Sequence, residues 1–225
     1  MCPWAIVWII FSYLLGSFPS GYLISRLSGK DVLKIGWRKT SGSNVFRNVG
    51  KWQGILTGLL DVAKGYIVVY GAQNMGFGLE TQILSGVAAV VGHNWSIFLK
   101  FAGGRGIATF FGAFLVLAPK IFIFSLIPFL LLWLIWTSAI GTLLFLATAI
   151  VLSIFWNQFE IVGFFTILSS IPILIKRLSP AGEIGKTPQK WISIRNRLIF
   201  DDDKVLRDFR IKKILKKTGV VSKNV

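Results

Sequence analysis

The chain alternates long apolar runs with short segments rich in glycine, proline and charge. A bilayer core about 30 Å thick is crossed by roughly 20 apolar helical residues, and runs of this kind recur along the whole sequence. They predict an all-α, polytopic membrane helix bundle of about seven transmembrane helices. The predicted spans are 4–25, 54–72, 79–98, 106–118, 121–137, 141–157 and 159–175.

Two of these spans need comment. The fourth, 106–118, is too short to cross a bilayer alone at about 1.5 Å of rise per residue. It therefore continues past Pro119, starts inside the protein, or tilts into a thinned part of the bilayer. The first span lacks the basic leader and the small-residue cleavage site of a signal peptide, so we expect it to be retained as a helix.

Composition agrees with a membrane protein. Hydrophobic residues make up 54% of the chain and the mean hydropathy is +0.68, above the roughly 45–50% apolar content of soluble domains. One histidine and one cysteine leave too few ligands for a zinc site or for a disulfide. We therefore predict no metal and no cofactor.

The net charge of +16 would favour nucleic acid as the partner of a soluble domain. Assigned alternately to two sides, the loops place seven Lys and Arg residues in 26–51, two in 92–105 and fourteen after the last span, against Lys120 alone on the other side. Cytoplasmic loops carry such an excess. The count predicts an outside N-terminus, an inside C-terminus and no nucleic-acid partner.

This topology divides the chain into a transmembrane domain, 1–177, and a basic cytoplasmic tail, 178–225. Basic residues close to the cytoplasmic leaflet are attracted to anionic lipid. The tail either binds membrane lipid in this way or serves only to determine the topology.

The first predicted cytoplasmic loop contains the stretch RKTSGSNVFRNVG. Ser41, Ser43 and Asn44 offer small polar side chains and accessible backbone N–H groups, and the Arg47 guanidinium matches phosphate or carboxylate oxygens. The stretch is either an anion-binding cradle or a flexible loop with one topological arginine.

A second cytoplasmic stretch, AGGRGIATFF, favours the cradle. Gly103, Gly104 and Gly106 allow close backbone approach, and Arg105 adds a full charge at the predicted start of a helix. A helix N-terminus presents unpaired N–H groups and a partial positive charge to anions. Two arginine-bearing loops on one face predict a two-pronged phosphate site.

Other polar residues have two interpretations each. His93 could transfer protons or donate to phosphate, or it could be structural. Asp61 and Lys64 share one helix face inside the membrane boundary, where charges mark either function or a structural ion pair. Thr137 and Ser138 lie in a third connection on the cytoplasmic side.

Four segments, taken in order and spacing, resemble the bacterial acyl-phosphate:glycerol-3-phosphate acyltransferases: GSFPSGYLISRLSGKDVLKIG, SGSNVFRNVG, LLDVAKGY and GHNWSIFLKFAGGRGIATFFG. The family's second motif has the form G-H-x-x-P-x-F-x-x-F-x-G-G-K-G-V-A-T, and the chain follows it from Gly92 to Thr109. The resemblance implies a seven-helix enzyme of the bacterial inner membrane with cytoplasmic active-site loops. Such an enzyme transfers a fatty acyl group from acyl phosphate to glycerol 3-phosphate, forming lysophosphatidate without coenzyme A.

The chain departs from the family pattern in each motif. Trp37 stands where the first motif has a small serine, and Lys39 lies in the same altered stretch. In the second motif Arg105 replaces the usual lysine and Ser96 the usual proline.

The third motif keeps Arg177 and Glu183, but Ile171 and Leu174 occupy the positions of its histidine and asparagine. A catalytically impaired paralogue that binds phosphate or anionic lipid is therefore the alternative function. A small transporter is a third interpretation, with only Asp61 and Lys64 as candidate residues within the membrane.

The resemblance assigns roles to the candidate residues. It predicts that two arginines neutralise the phosphates of glycerol 3-phosphate and acyl phosphate, and that a phosphate oxygen or the histidine accepts the hydroxyl proton. The predicted catalytic residues are His93, Arg47 and Arg105. The predicted substrate-binding residues are Ser41, Ser43, Asn44, Gly103, Gly104, Gly106 and Ser138.

Overall fold

The computed structural model describes residues 2–179 and 190–200, and every regular element within these two ranges is helical. A 3₁₀ turn covers Ile97–Leu99, and a π-helical turn, Phe159–Gly163, leads directly into the ninth helix. The helices are α1 Pro3–Ser17, α2 Ser20–Leu27, α3 Gly42–Asn48, α4 Lys51–Asn74, α5 Leu79–Asn94, α6 Ile107–Leu117, α7 Pro119–Ile135, α8 Ser138–Phe155, α9 Phe164–Arg177 and α10 Lys190–Phe200.

All seven predicted spans are helical, which confirms a helical membrane protein. Five segments are long and apolar enough to cross a bilayer: Pro3–Leu27, Lys51–Asn74, Leu79–Leu99, Ser138–Phe155 and Phe159–Arg177. The apolar helices α6 and α7 are shorter. Seven full crossings and the orientation of the termini stay predictions.

The fourth span does not continue into the fifth. Helix α6 ends at Leu117, and α7 begins a new helix with Pro119 in its first turn, the position where proline fits best. At its other end α6 starts after Gly106, which is buried and has a φ of 73°. Of the three possibilities raised by its length, the structure shows a helix that starts inside the protein.

The first span is broken near its middle. Helix α1 ends at Ser17 and α2 begins at Ser20, because Pro19 lacks an N–H and restricts the residue before it. The break leaves the Phe18 carbonyl outside the helical hydrogen-bond ladder, where it accepts a 2.6 Å hydrogen bond from Lys64 Nζ.

The segment 26–51 is more ordered than a flexible loop. It contains α3, which begins after Ser41 in an extended conformation and buries Val45 completely. The flexible-loop interpretation of this stretch is therefore wrong, because α3 packs against the helix bundle through buried side chains.

Helices α4 and α6 pack with their backbones in contact. A Cβ atom added to Gly65 would overlap the carbonyl oxygen of Thr109, and one added to Gly112 would overlap that of Val62. Small residues permit this approach in membrane proteins, where lipid gives helices no hydrophobic reason to associate. The tight pairing fixes the start of α6, which follows the glycine-rich stretch.

Phenylalanine rings fill the space between α6, α8 and α9. The Phe110 and Phe165 rings stack with centroids 5.2 Å apart, and Phe145 meets Phe110 edge to face at 5.9 Å. All three side chains are buried. Offset and edge-to-face pairs of this kind add stability beyond the burial of their area.

The described part of the predicted tail packs against the bundle. Arg177 donates to Leu198 O on α10, and Arg197 of α10 donates to Leu178 O. Helix α10, which belongs to the predicted tail, is therefore in contact with the transmembrane helices. The polybasic stretch 204–217 and Glu183 lie outside the described residues.

Candidate active site

The second motif folds back against the end of α5. Gly104 N donates to His93 O at 3.0 Å, and Ser96 N donates to Ala102 O at 3.1 Å. Lys100 and Phe101 have φ values of 51° and 63°, a left-handed conformation that lets the chain reverse within a few residues. The reversal carries the glycine-rich stretch back along α5 to the start of α6.

The glycines of this stretch make room for α5. A Cβ on Gly103 would overlap the His93 carbonyl oxygen, and a Cβ on Gly104 would overlap the His93 ring at Nε2. A Cβ on Gly106 would lie 2.7 Å from Asn94 Oδ1. Gly103 and Gly104 are therefore required for packing against the protein itself, whether or not they also contact a phosphate group.

Asn44 organises the first motif. Its side-chain oxygen accepts from Trp37 N at 3.1 Å, and its amide nitrogen donates to the carbonyls of Val32, Ile35 and Lys39 at 3.3, 3.2 and 2.8 Å. The side chain is completely buried. The structure thus gives the Asn44 side chain a role in shaping the loop, and leaves it no exposed surface on which a substrate could bind.

The two serines lie at the start of α3. The Ser41 and Ser43 hydroxyl oxygens are 3.4 Å apart, with Ser41 buried and Ser43 exposed. Beside them, Thr40 N donates to Gly103 O at 3.3 Å. This hydrogen bond joins the first motif to the second.

The two candidate arginines meet at one aromatic ring. The guanidinium carbon of Arg47 lies 4.7 Å from the centroid of the Trp37 ring, and that of Arg105 lies 4.5 Å from it. Arg47 is exposed, whereas Arg105 is only 5% exposed. The structure therefore brings together the two cations that the sequence predicted to bind phosphate.

A buried polar network lies behind the second motif. Asp61 Oδ1 accepts from Ser20 Oγ at 2.7 Å and from Lys64 Nζ at 2.8 Å, and His93 Nδ1 is 3.5 Å away. Lys64 Nζ also donates to Ser20 Oγ and to the Phe18 carbonyl. Asp61 is 1% exposed. Because every charged group here has a close partner, the structure supports an ion pair within α4, which contacts α2 through Ser20 and α5 through His93.

Helix α9 lies far from both motifs in the sequence but contacts both of them in the structure. Asn94 Nδ2 donates to Pro172 O at 2.9 Å, and Lys39 Nζ donates to Lys176 O at 3.2 Å. Lys176 Nζ lies 3.4 Å from Phe101 O and 5.3 Å from the centroid of the Trp95 ring. Both lysines are buried.

Sequence analysis did not identify Lys39, Lys176 or Ser20 as site residues. Lys39 and Lys176 looked like ordinary topological charges beside predicted spans, and Ser20 like one small residue in an apolar run. The signal that could have found Ser20 is Pro19, because a proline inside a span exposes polar backbone that needs partners.

The third motif takes a different form from the family pattern. Ile171, at the histidine position, is 53% exposed, and Leu174 is half-buried. Arg177 is buried and donates to Ala139 O at 3.0 Å. Ser138 begins α8 directly before that residue, so it lies next to the contact between α8 and Arg177 of α9. Within residues 2–179 and 190–200 no group of three acidic, histidine or cysteine side chains could hold a metal ion.

Comparison with known proteins decides the family. A family model described as glycerol-3-phosphate acyltransferase matches residues 6–181. The chain belongs to this family. The match covers both arginine-bearing motifs and α9.

Members of the glycerol-3-phosphate acyltransferase family resemble the chain to different extents. "Glycerol-3-phosphate acyltransferase 3" of Dehalococcoides mccartyi strain 195 is 44% identical over 130 residues, which are 52% of this chain and 60% of that relative. "Glycerol-3-phosphate acyltransferase 4" of strain CBDB1 is 33% identical over 211 residues, covering 90% of this chain and 91% of the relative. The stronger identity is thus confined to part of the chain, as it also is for other curated relatives.

Solved structures extend the likeness to the fold. The crystal structure of PlsY (YgiH), an integral membrane glycerol 3-phosphate acyltransferase in its glycerol 3-phosphate form, superposes with a TM-score of 0.72 at 28% identity. The alignment covers 81% of this chain and 92% of PlsY. The lysophosphatidic acid form of PlsY gives a TM-score of 0.70.

Proposed function

We propose that the protein transfers a fatty acyl group from acyl phosphate to the 1-hydroxyl of glycerol 3-phosphate and releases lysophosphatidate and phosphate. The observation that carries the proposal is the meeting of Arg47 and Arg105 at one ring, on loops joined through Thr40 and Gly103. Family membership and the likeness to PlsY support the acceptor. The acyl phosphate donor rests on the resemblance of the motifs.

The reaction needs two anionic substrates side by side. Guanidinium groups form short, charge-assisted hydrogen bonds to phosphate oxygens, so Arg47 and Arg105 would reduce the repulsion between the two phosphates. Holding both reactants in the correct orientation then removes much of the entropic barrier. No protein nucleophile is needed to take up the acyl group first, because acyl phosphate already carries a good leaving group.

The bond changes are simple. The acceptor oxygen forms a bond to the acyl carbonyl carbon, and the bond between that carbon and the phosphate oxygen breaks. Inorganic phosphate leaves with the electron pair of the broken bond. The hydroxyl proton goes to a phosphate oxygen, which leaves His93 free for another role.

We assign His93 and Asn44 supporting roles. The His93 ring lies between Gly104 and Asp61. It therefore supports the glycine-rich stretch by packing against Gly104. Asn44 shapes the first motif through its hydrogen bonds to three carbonyls. Substrate contacts are proposed for Ser41, Ser43, Arg47, Arg105 and the N–H groups of Gly103 and Gly106, whereas the Gly104 N–H already donates to His93 O.

The location of the enzyme follows from the same reasoning. The protein would be a multi-pass protein of the bacterial inner membrane, with both motifs on the cytoplasmic side where glycerol 3-phosphate is dissolved. The acyl chain would enter from the bilayer between apolar helices, many of whose side chains are exposed on the surface of the bundle.

The test is lysophosphatidate formation by purified protein in lipid supplied with acyl phosphate and glycerol 3-phosphate. Arg47→Ala and Arg105→Ala should each reduce kcat/KM by at least about 100-fold, a typical loss for one charge-stabilising group. Arg26→Ala is the matched control, because the Arg26 side chain is 57% exposed and pairs with Asp31. Full activity in either site variant would contradict the proposal.

A second candidate function is phosphate or anionic-lipid binding without transfer. It is favoured by Ile171, an exposed apolar side chain where the family pattern has a histidine. This candidate predicts no product but a higher melting temperature of the wild-type protein when glycerol 3-phosphate is added. Product formation by wild type would reject it.

A further inference from the structure

Trp37 distinguishes the first motif of this chain from the family pattern. It occupies the position of a small serine, and its ring lies against both arginines. The ring is half-buried, and its backbone N–H is held by the buried side chain of Asn44. The indole therefore stands on a fixed part of the first motif.

The two arginines are close enough to repel each other. Each guanidinium carbon lies less than 5 Å from the ring centroid, so the two cations are no farther apart than about 10 Å, the Debye length at about 0.1 M salt. This repulsion opposes the approach of both guanidinium groups to one ring, so attractive contacts must offset it.

An indole ring can oppose that repulsion. Its face attracts cations, more strongly than the faces of tyrosine or phenylalanine, and most strongly where water is partly excluded. A guanidinium that contacts a ring through its face keeps its N–H donors at the edge, where phosphate oxygens bind. One ring could thus hold two guanidinium groups in position for a single phosphate group.

We propose that Trp37 is a positioning residue that holds Arg47 and Arg105 together at one ring, where they can bind the phosphate of glycerol 3-phosphate. The substrate named here rests on the proposed function, but the positioning of the arginines for phosphate does not. Trp37 acts through the arginines and takes no part in bond formation. Its loss therefore weakens substrate binding more than it slows the chemical step.

The experiment compares Trp37→Leu, Trp37→Phe and the control Trp52→Leu. Leucine removes the aromatic face, phenylalanine keeps a weaker one, and Trp52 is an exposed tryptophan on α4. We expect Trp37→Leu to raise the KM for glycerol 3-phosphate about 10-fold and to change kcat by less than about 3-fold, with Trp37→Phe between it and wild type. Trp52→Leu should match wild type.

A direct binding measurement separates this proposal from the proposed function. Isothermal titration calorimetry measures the affinity of wild type and both Trp37 variants for glycerol 3-phosphate and for inorganic phosphate. For each ligand, affinity should fall from wild type to Trp37→Phe to Trp37→Leu. If wild type forms no lysophosphatidate but Trp37→Leu still weakens binding, the function fails and the positioning role stands.

Four results would overturn the positioning role. Unchanged affinity in Trp37→Leu would show that the ring does not hold the arginines. Tighter binding in that variant would show that the ring obstructs the site. Equal losses in the leucine and phenylalanine variants, or no measurable binding by wild type, would also reject it. Should Trp37→Leu fail to fold, the phenylalanine variant decides by the same measurements.

Discussion

Asp61 and Lys64 carry opposite charges inside the bundle, and each is enclosed. Removing one member of a buried pair leaves the other uncompensated, which typically costs about 3–5 kcal/mol. We therefore expect Asp61→Asn and Lys64→Met each to destabilise the protein by about 3 kcal/mol. The measurement is thermal unfolding in detergent, followed by the loss of helical circular dichroism.

The double variant provides the control for this prediction. Asp61→Asn together with Lys64→Met leaves no isolated charge, so its loss of stability should be clearly smaller than the sum of the two single losses. Additive losses would mean that the two side chains act independently, in conflict with their 2.8 Å contact.

Sequence reasoning predicted which of these side chains lie close together better than it predicted what surrounds each of them. The spacing of Asp61 and Lys64 predicts a shared helix face, and the structure confirms the pair. The roles of His93 and Asn44 depend on what surrounds them in three dimensions. A histidine packed under Gly104 has the same sequence neighbours as one that faces a substrate.

At the scale of helices, the contact between α4 and α6 controls where the glycine-rich stretch is placed. Gly65 lies on the contact face of α4, and a methyl group there would meet the α6 backbone, which cannot yield as a flexible side chain could. Overpacking of this kind costs about 1–3 kcal/mol. Gly65→Ala should therefore lower both the melting temperature and lysophosphatidate formation.

Gly58 on the same helix supplies the matched control. A Cβ on Gly58 meets nothing within 4 Å, and alanine is favoured over glycine inside a helix by about 1 kcal/mol. Gly58→Ala should leave activity unchanged and stability equal or higher. If the two variants behave alike, close backbone packing is not what positions α6.

Hydropathy predicted the seven helical segments but not the break within the first of them. Pro19 and Pro119 both mark helix ends in the structure, yet Pro128 and Pro172 lie within α7 and α9. A proline restricts the backbone locally, whereas packing around it decides whether a helix stops or continues. Helix α3 escaped prediction because seven residues with few apolar positions give no periodic signal.

At the scale of the molecule, three segments with excess positive charge meet at one site. Thr40 contacts Gly103, and Lys39 contacts Lys176. The charge count predicts that these segments share the cytoplasmic side, and their mutual contacts agree with a shared side. Which side of the membrane they occupy is a separate question, and it bears directly on the proposed function.

Cys2 allows that question to be tested on the wild-type chain without introducing another cysteine. It is the only cysteine in the sequence and is exposed at the start of α1. With the N-terminus outside, a membrane-impermeant maleimide added to intact bacteria should modify Cys2. The measurement is the mass increase or fluorescence of the purified protein.

A variant with its single thiol on the opposite side completes the experiment. Cys2→Ser combined with Lys34→Cys moves the thiol into the 26–51 segment, where the Lys34 side chain is 82% exposed. It should react only after the membrane is permeabilised, because a charged reagent does not cross an intact bilayer. The reverse labelling pattern would place Arg47 and Arg105 outside the cell. Since glycerol 3-phosphate is proposed to reach the site from the cytoplasm, that result would contradict the orientation and the proposed reaction together.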